Sequence, residues 1–312
     1  MINRLVVCIA GVIMMMTLPG VVPEGAAQTN AGSAGSFLRL GLGARAIGKA
    51  NTAPTGARDA YGFYYNAAAL PMVSGRHFGT AYGFLPLDRV YHYVGFATAL
   101  PPTAGIGVGW MATGVDDIQG RDFNGEKTRT YAVRQNTFLV GFGNRFSEQI
   151  QVGALFKIIR NDLDELSATA VAFDVGVIIT PFEWVSLGLM AGNFNGEFSW
   201  DTEGVYSQGT TTVNAIPVVG RAGATFRMIR DLEVMVEYER TAKGAVVYRA
   251  AAEWHPMDMT AIRAGMADGE PRFGAGLEYG FLAGLDTALD YALAFGRAGE
   301  GPSHYFSWSF RF

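Results

Sequence analysis

The chain has 312 residues, 49% hydrophobic and 17% charged, with 41 Gly, 21 Phe, 13 Tyr and 5 Trp. That balance excludes a disordered chain, which needs low hydrophobicity and high charge, and a net charge of −4 offers no basic field to a nucleic acid. Mean hydropathy is only +0.16 and no long apolar run follows the N-terminus, which argues against a polytopic helical membrane protein. The apolar residues belong either to a greasy soluble β protein or, at period two, to a membrane barrel.

Residues 1–27 read as a secretory signal. Arg4 is the positive n-region, Leu5 to Leu18 the apolar core, Pro19 and Gly20 its break, and Gly25, Ala26 and Ala27 the small residues that place cleavage after Ala27. An N-terminal anchor is the competing reading, but the apolar core is short for a span. Cys8, the one cysteine, falls inside this segment, so the mature chain is neither a disulfide scaffold nor a thiol enzyme.

Residues 28–72 are rich in Gly and Ala, yet Phe37, Leu38, Leu40, Leu42, Ile47, Phe63, Tyr64 and Tyr65 make them too apolar for a linker. We read them as a hatch, or plug, folded into the lumen of a barrel built by residues 73–312. Strands are predicted at 76–85, 91–100, 104–114, 136–147, 150–161, 169–181, 185–194, 216–228, 231–240, 246–256, 260–267, 272–281, 286–297 and 303–312. Many are about ten residues long, as tilted membrane strands require, and their even number closes an antiparallel barrel.

Several of these strands alternate cleanly. Leu232, Val234, Val236 and Tyr238 oppose Glu233, Met235, Glu237 and Glu239. In the next strand Tyr248, Ala250, Ala252 and Trp254 oppose Arg249, Ala251, Glu253 and His255. A soluble sandwich alternates too, with its apolar face inward. The signal segment, the strand count and the C-terminus decide for the barrel. The predicted fold class is therefore all-β, a 14-stranded antiparallel transmembrane β-barrel with an N-terminal plug. Short links at 101–103, 149, 182–184, 229–230, 257–259 and 282–285 mark one side, and long connections at 115–135 and 195–215 mark the other. That asymmetry separates periplasmic turns from external loops.

The chain ends with Phe306, Trp308, Phe310 and Phe312 on one strand face and Tyr305, Ser307, Ser309 and Arg311 on the other. This terminal aromatic run is similar to the signal by which outer-membrane barrels are recognised by their assembly machinery. Upstream, Gly43-Ala44-Arg45-Ala46-Ile47-Gly48, then Asp59-Ala60, then Tyr64-Tyr65-Asn66-Ala67-Ala68-Ala69-Leu70 resembles the entry segment of the PorV/PorQ family. Gly192-Asn193-Phe194, Ile262-Arg263-Ala264-Gly265 and Phe273 to Tyr279 resemble its later segments. Lys49, Ala50 and Asn51 stand where that family has Met-Gly-Gly, and Ala67 where it has proline. The resemblance implies a barrel like the fatty-acid transporter FadL, fourteen strands with a hatch, in the outer membrane. It implies a non-enzymatic secretion or surface-assembly component of type IX secretion kind that binds secreted proteins. The alternative it implies is a passive transporter of hydrophobic compounds. Gly43, Arg45, Gly48, Asp59 and Asn66 carry the hatch motif.

Chemistry-bearing motifs are few. Gly41-Leu42-Gly43-Ala44-Arg45-Ala46 fits a dinucleotide-loop pattern, but no βαβ unit surrounds it. His77, His92, His255 and His304 lack metal-ligand spacing, and a G-x-S-x-G nucleophile elbow is missing. Asp162, Asp164 and Glu165 read as a solvated acidic loop. No cofactor or metal is expected. Two constellations remain. Arg221, Glu237, Arg249, Glu253, Arg263, Glu278, Asp286 and Asp290 form a ladder of nearly alternating sign on the inner face. It either neutralises the lumen or grips the hatch through Arg45 or Arg58. Phe194, Phe198, Trp200 and Tyr206 lie in or beside the second long connection. They capture a hydrophobic solute, dock a secreted protein, or pack on their own loop.

Overall fold

The computed structural model describes residues 32–203, 209–229, 231–282, 284–296 and 301–312. The expected signal segment 1–27 with Cys8, the first residues of the 28–72 segment, and Tyr206 lie outside the described residues. The strands are β1 (Arg76–Leu85), β2 (Arg89–Leu100), β3 (Ala104–Arg121), β4 (Lys127–Arg145), β5 (Ile150–Leu163), β6 (Leu166–Phe182), β7 (Val185–Phe194), β8 (Glu197–Asp201), β9 (Thr211–Ala215), β10 (Val219–Ile229), β11 (Leu232–Thr241), β12 (Val246–Met257), β13 (Thr260–Ala267), β14 (Glu270–Leu282), β15 (Leu285–Phe295) and β16 (Pro302–Arg311). Fourteen of them close an antiparallel barrel in which β1 pairs with β16 and β7 with β10, while β8 and β9 form a separate two-stranded sheet.

Period-two patterning explains the wall. On β4, Phe138, Val140 and Phe142 face outward at about half exposure, while Leu139 between them is 1% exposed. The outward side is apolar along the strands, as a lipid-facing band demands. Phe306 and Trp308 on β16 and Phe312 just after it stand exposed, and Tyr305 and Ser307 are buried inward. Phe310 rests on Trp308 and on Phe78 across the closing seam. Backbone bonds between Arg76 and Phe312, 2.9 and 3.0 Å, seal the barrel at its last residue.

Two long connections differ from expectation. The 115–135 region is strand for most of its length, because β3 and β4 continue to Arg121 and Lys127 as a tall hairpin. Beyond the lipid band both faces of a strand meet water, so hydrophobic alternation stops while backbone pairing continues. Register shifts after Val115 and Gln119 twist this extension. Two of its arginines are paired: Arg134 with Asp116, and Arg129 with Asp164 and Glu165. Arg160 takes Asp162, so the acidic loop is neutralised locally. The 195–215 connection holds the β8–β9 hairpin, which folds inward rather than outward.

Candidate functional site: the luminal plug and its seat

Residues 32–72, called the plug below, pack against the inner face of the barrel wall. They contain 3-10 helices Ser36–Leu40, Gly62–Tyr64 and Ala67–Met72 and a one-turn helix α1, Ala44–Ile47. The dinucleotide-like motif thus opens a single turn with no parallel sheet beside it. Backbone chemistry fixes the path. Gly43 has φ 75°, and a Cβ there would stand 2.8 Å from the Tyr61 ring. Ala50 and Asn51 adopt φ 55° and 59°, in the left-handed region that favours glycine. Asn51 tolerates this region better than most residues. Its amide donates to the Arg39 and Leu40 carbonyls at 3.2 Å and its oxygen accepts from Tyr65 Oη at 3.0 Å. Asp59 Oδ1 accepts the amides of Tyr61 and Gly62 at 2.8 and 2.9 Å, a local turn.

Asn66 joins plug to wall. Its Oδ1 accepts from Ala68 N at 3.1 Å, and its Nδ2 donates to Pro54 O at 3.0 Å and towards Val177 O and Leu189 O on β6 and β7 at 3.3 Å. Asn66→Ala removes the cap and leaves buried carbonyls without that donor. The expected loss is about 1–3 kcal/mol, seen as a lower temperature for conversion of the folded to the unfolded band in heat-modifiability electrophoresis.

The wall makes room for the plug backbone by omitting side chains. A Cβ on Gly188 would lie 1.9 Å from Pro54 O, one on Gly153 2.3 Å from the Ala67 carbonyl carbon, and one on Gly265 2.4 Å from the Lys49 carbonyl carbon. Gly48 of the plug meets Gly274 of β14, where a Cβ on Gly48 would stand 2.9 Å from Gly274 Cα. Polar ties complete the seat. Tyr61 Oη reaches Thr80 O at 2.9 Å and Trp308 O at 3.0 Å, Tyr93 Oη donates to Ala60 O at 2.6 Å, and Ala44 N donates to Ser307 Oγ at 3.0 Å.

The charge ladder resolves into three separate groups. At the centre, Glu253 has a fully buried side chain and gathers two cations from the plug and one from the wall. Arg45 Nε donates to its Oε2 at 3.1 Å and Lys49 Nζ lies 3.0 Å from Oε2, while Arg263 Nε lies 2.9 Å from the same oxygen. His255 sits 3.0 Å from Oε1, and Arg263 continues to Asp290 at 2.5 Å. Burial holds the Lys49 ammonium below its ordinary pKa, with Glu253 opposing that shift. In the second group, Arg221 and Arg249 share Glu239 at 2.8 Å each, Arg249 also meets Glu237 at 2.9 Å, and Arg39 of the plug approaches Glu239 at 3.5 Å. The third group stands apart: Asp286 pairs with Arg311 at half-exposed positions, and Glu278 lines the lower cavity. A continuous ladder is thus corrected, because the wall strands are tilted and staggered, so equal spacing in sequence does not give equal height. Arg45, not Arg58, meets the acids; Arg58 lines the cavity near Arg227.

Sequence reasoning missed a buried pair, Lys157 and Asp174, 2.7 Å apart, which also holds Asn193. Asn193 N donates to Asp174 Oδ1 at 2.7 Å where the β6–β7 register shifts. The signal was present: Lys157 shares its strand face with Leu155 and Ile159, opposite the exposed Phe156 and Ile158.

The two ends of the lumen differ in chemistry. At the end bearing the long connections, Phe37, Leu38, Tyr64, Tyr91 and Tyr305 form one apolar cluster with Phe198 and Trp200 of the β8–β9 hairpin. Phe198 is 1% and Trp200 9% exposed, so of the three readings of this loop the inward-packing one fits and an exposed contact surface does not. Burying these rings offsets the ordering of the loop. Phe194 is separate, tilted against Phe173 on the outer wall at 5.5 Å. At the opposite end, among the short links, a cavity of about 680 Å³ reaches up to Arg45, Lys49, Arg263 and Asp290 and down to Glu183 and Asp258. It is a polar vestibule beneath the plug. Among the described residues no group of His, Cys, Asp and Glu is arranged to hold a metal ion.

No protein-family model matches the chain, and no curated protein matches it. Solved structures do share its fold. A FadL homologue from Pseudomonas aeruginosa superposes with a TM-score of 0.63 at 11% identity, over 87% of this chain and 98% of its own. The toluene transporter TodX of Pseudomonas putida gives 0.60 at 12% identity, over 86% and 96%. The monoaromatic hydrocarbon channel CymD gives 0.60 at 14% identity, over 87% and 96%. The fold is that of a FadL-type outer-membrane barrel.

Proposed function

We propose that this FadL-type barrel is a passive outer-membrane channel for small hydrophobic compounds, not an enzyme, exported by cleavage near Ala27 and inserted through its C-terminal strand by the barrel assembly machinery. The observation that carries the reading is the polarity gradient of the lumen. A packed apolar and aromatic cluster lies under the β8–β9 hairpin on one side, and a polar, charged vestibule of about 680 Å³ opens on the other. Apolar solutes gain free energy on leaving water for such aromatic surface, and among the described residues the hairpin and the plug cover it. That the hydrocarbon channels named above share this architecture supports the same reading. A secretion role needs an exposed docking surface for secreted proteins, and Phe198 and Trp200, the residues that would supply it, are buried.

The test is uptake. Phe198→Ala with Trp200→Ala opens the mouth without touching the wall. Proteoliposomes carrying that variant should take up a small aromatic hydrocarbon several-fold faster than those carrying the unaltered barrel. Uptake no faster than in protein-free liposomes, for both proteins, would sink the channel reading.

A further inference from the structure

On the outer wall, a groove of about 400 Å³ lies between β6, β7, β10 and β11. Its floor is built of residues that barely project: Ala191 of β7 pairs with Gly220 of β10, and Ala222 lies two residues further along β10. Its banks are Val175 and Leu189 on one side and Tyr238 on the other, all among the exposed apolar side chains. The next residue on the outward face of β11 is Arg240, which registers directly against Gly220. No side chain of β10 therefore stands between Arg240 and the groove.

Arg240 is out of place on a lipid-facing wall. It is exposed, follows Val234, Val236 and Tyr238 in outward parity, and has no ion pair or side-chain hydrogen bond among the described residues. Tyr238 contacts Tyr248 at 5.4 Å just below it, an aromatic pair of the kind that marks a membrane interface. Lys243, in the β11–β12 turn above, is also exposed and unpaired among the described residues. A cation at the hydrocarbon midplane is costly, but the cost falls nearly to zero at the interface. Two such cations above an acyl-width groove complement the headgroup of an anionic lipid.

We propose that this groove is a binding site for one anionic, phosphate-bearing membrane lipid. One acyl chain lies over Ala191, Gly220 and Ala222, and the phosphate sits on Arg240 with Lys243 nearby. The site depends on the barrel's place in the membrane and not on the channel reading, so either can fail alone.

Native mass spectrometry of the purified barrel in micelles containing phosphatidylglycerol and phosphatidylcholine tests it. The unaltered barrel should retain one phosphatidylglycerol, favoured over phosphatidylcholine on the order of tenfold. Arg240→Gln with Lys243→Gln should abolish that preference. Ala222→Trp, which fills the groove with a side chain suited to a lipid-facing position, should abolish retention of either lipid. Both variants should keep the heat-modifiability of the parent, which shows that they fold. Equal retention in the groove-filled variant, no preference between the lipids in the parent, or a dimer mass in place of a lipid adduct overturns the proposal.

Discussion

Glu253→Ala is expected to unseat the plug and turn a closed barrel into a conducting one. The Glu253 side chain is fully buried, and three cations converge on it, two of them from the plug. Removing the carboxylate leaves Arg45, Lys49 and Arg263 facing one another around a void, with Asp290 still paired to Arg263, and Asp59 and Glu233 acting from further off. Breaking a buried ion pair from one side costs about 3–5 kcal/mol, because the stranded charge keeps its desolvation penalty. The wall itself need not bear that cost. Its strands remain paired, whereas the plug can move Arg45 and Lys49 down into the vestibule they already line. The cost is therefore relieved by plug displacement. In planar bilayers the variant should show stepwise conductance that the parent lacks. In proteoliposomes it should admit trypsin cleavage at Lys49. Glu253→Gln, which keeps the shape and one acceptor, should lie between the two. A variant that folds yet stays as tight as the parent would show that the plug is held by packing alone.

The second expected result comes from the glycines. Gly188→Val with Gly153→Val should prevent seating altogether while the barrel still assembles. Neither position has room for a Cβ, and what it would strike is plug backbone, at 1.9 Å and 2.3 Å, not the movable end of a side chain. Backbone cannot rotate out of the way, so the plug must shift as a body. Valine also suits a strand, so the wall gains rather than loses local preference. Conductance should match or exceed that of Glu253→Ala. Gly280→Ala is the control: its nearest neighbour would be Asp286 Oδ1 at 3.6 Å, ordinary contact, and the barrel should remain closed. If the double valine variant stays closed, the plug does not occlude the lumen by lying on these strands.

These two predictions draw on unequally legible features. Which face of β11 or β12 points inward could be read from alternation, because a strand must turn one face to lipid and the other to water. Glu237, Glu253 and Arg249 were therefore assignable to the lumen. Their partners were not. Glu253 joins Arg45 and Lys49 across more than two hundred residues, and only the closure of the barrel brings those segments together. The wall glycines were visible only within a chain total of 41, and their meaning was not. A glycine in a strand reads as a weak position or a bulge until something is seen lying on it. The β8–β9 hairpin shows the same limit. Phe198 and Trp200 alternate in either setting, and nothing in the period distinguishes a strand facing solute from one facing the plug.

The amino-acid sequence by itself determined the strand count of the wall, the antiparallel closure, the inward and outward parity of strands such as β11 and β12 and the apolar terminal strand. Each follows from local periodicity in a chain that must satisfy its backbone hydrogen bonds inside a membrane. Only the tertiary structure decided where the plug sits, which cations share Glu253, that the external hairpin turns in to bury its rings, and that a groove crosses the outer wall below Arg240. Those features depend on the height and tilt at which strands distant in sequence meet. Height and tilt are set by the register of the closed barrel, which no single strand encodes.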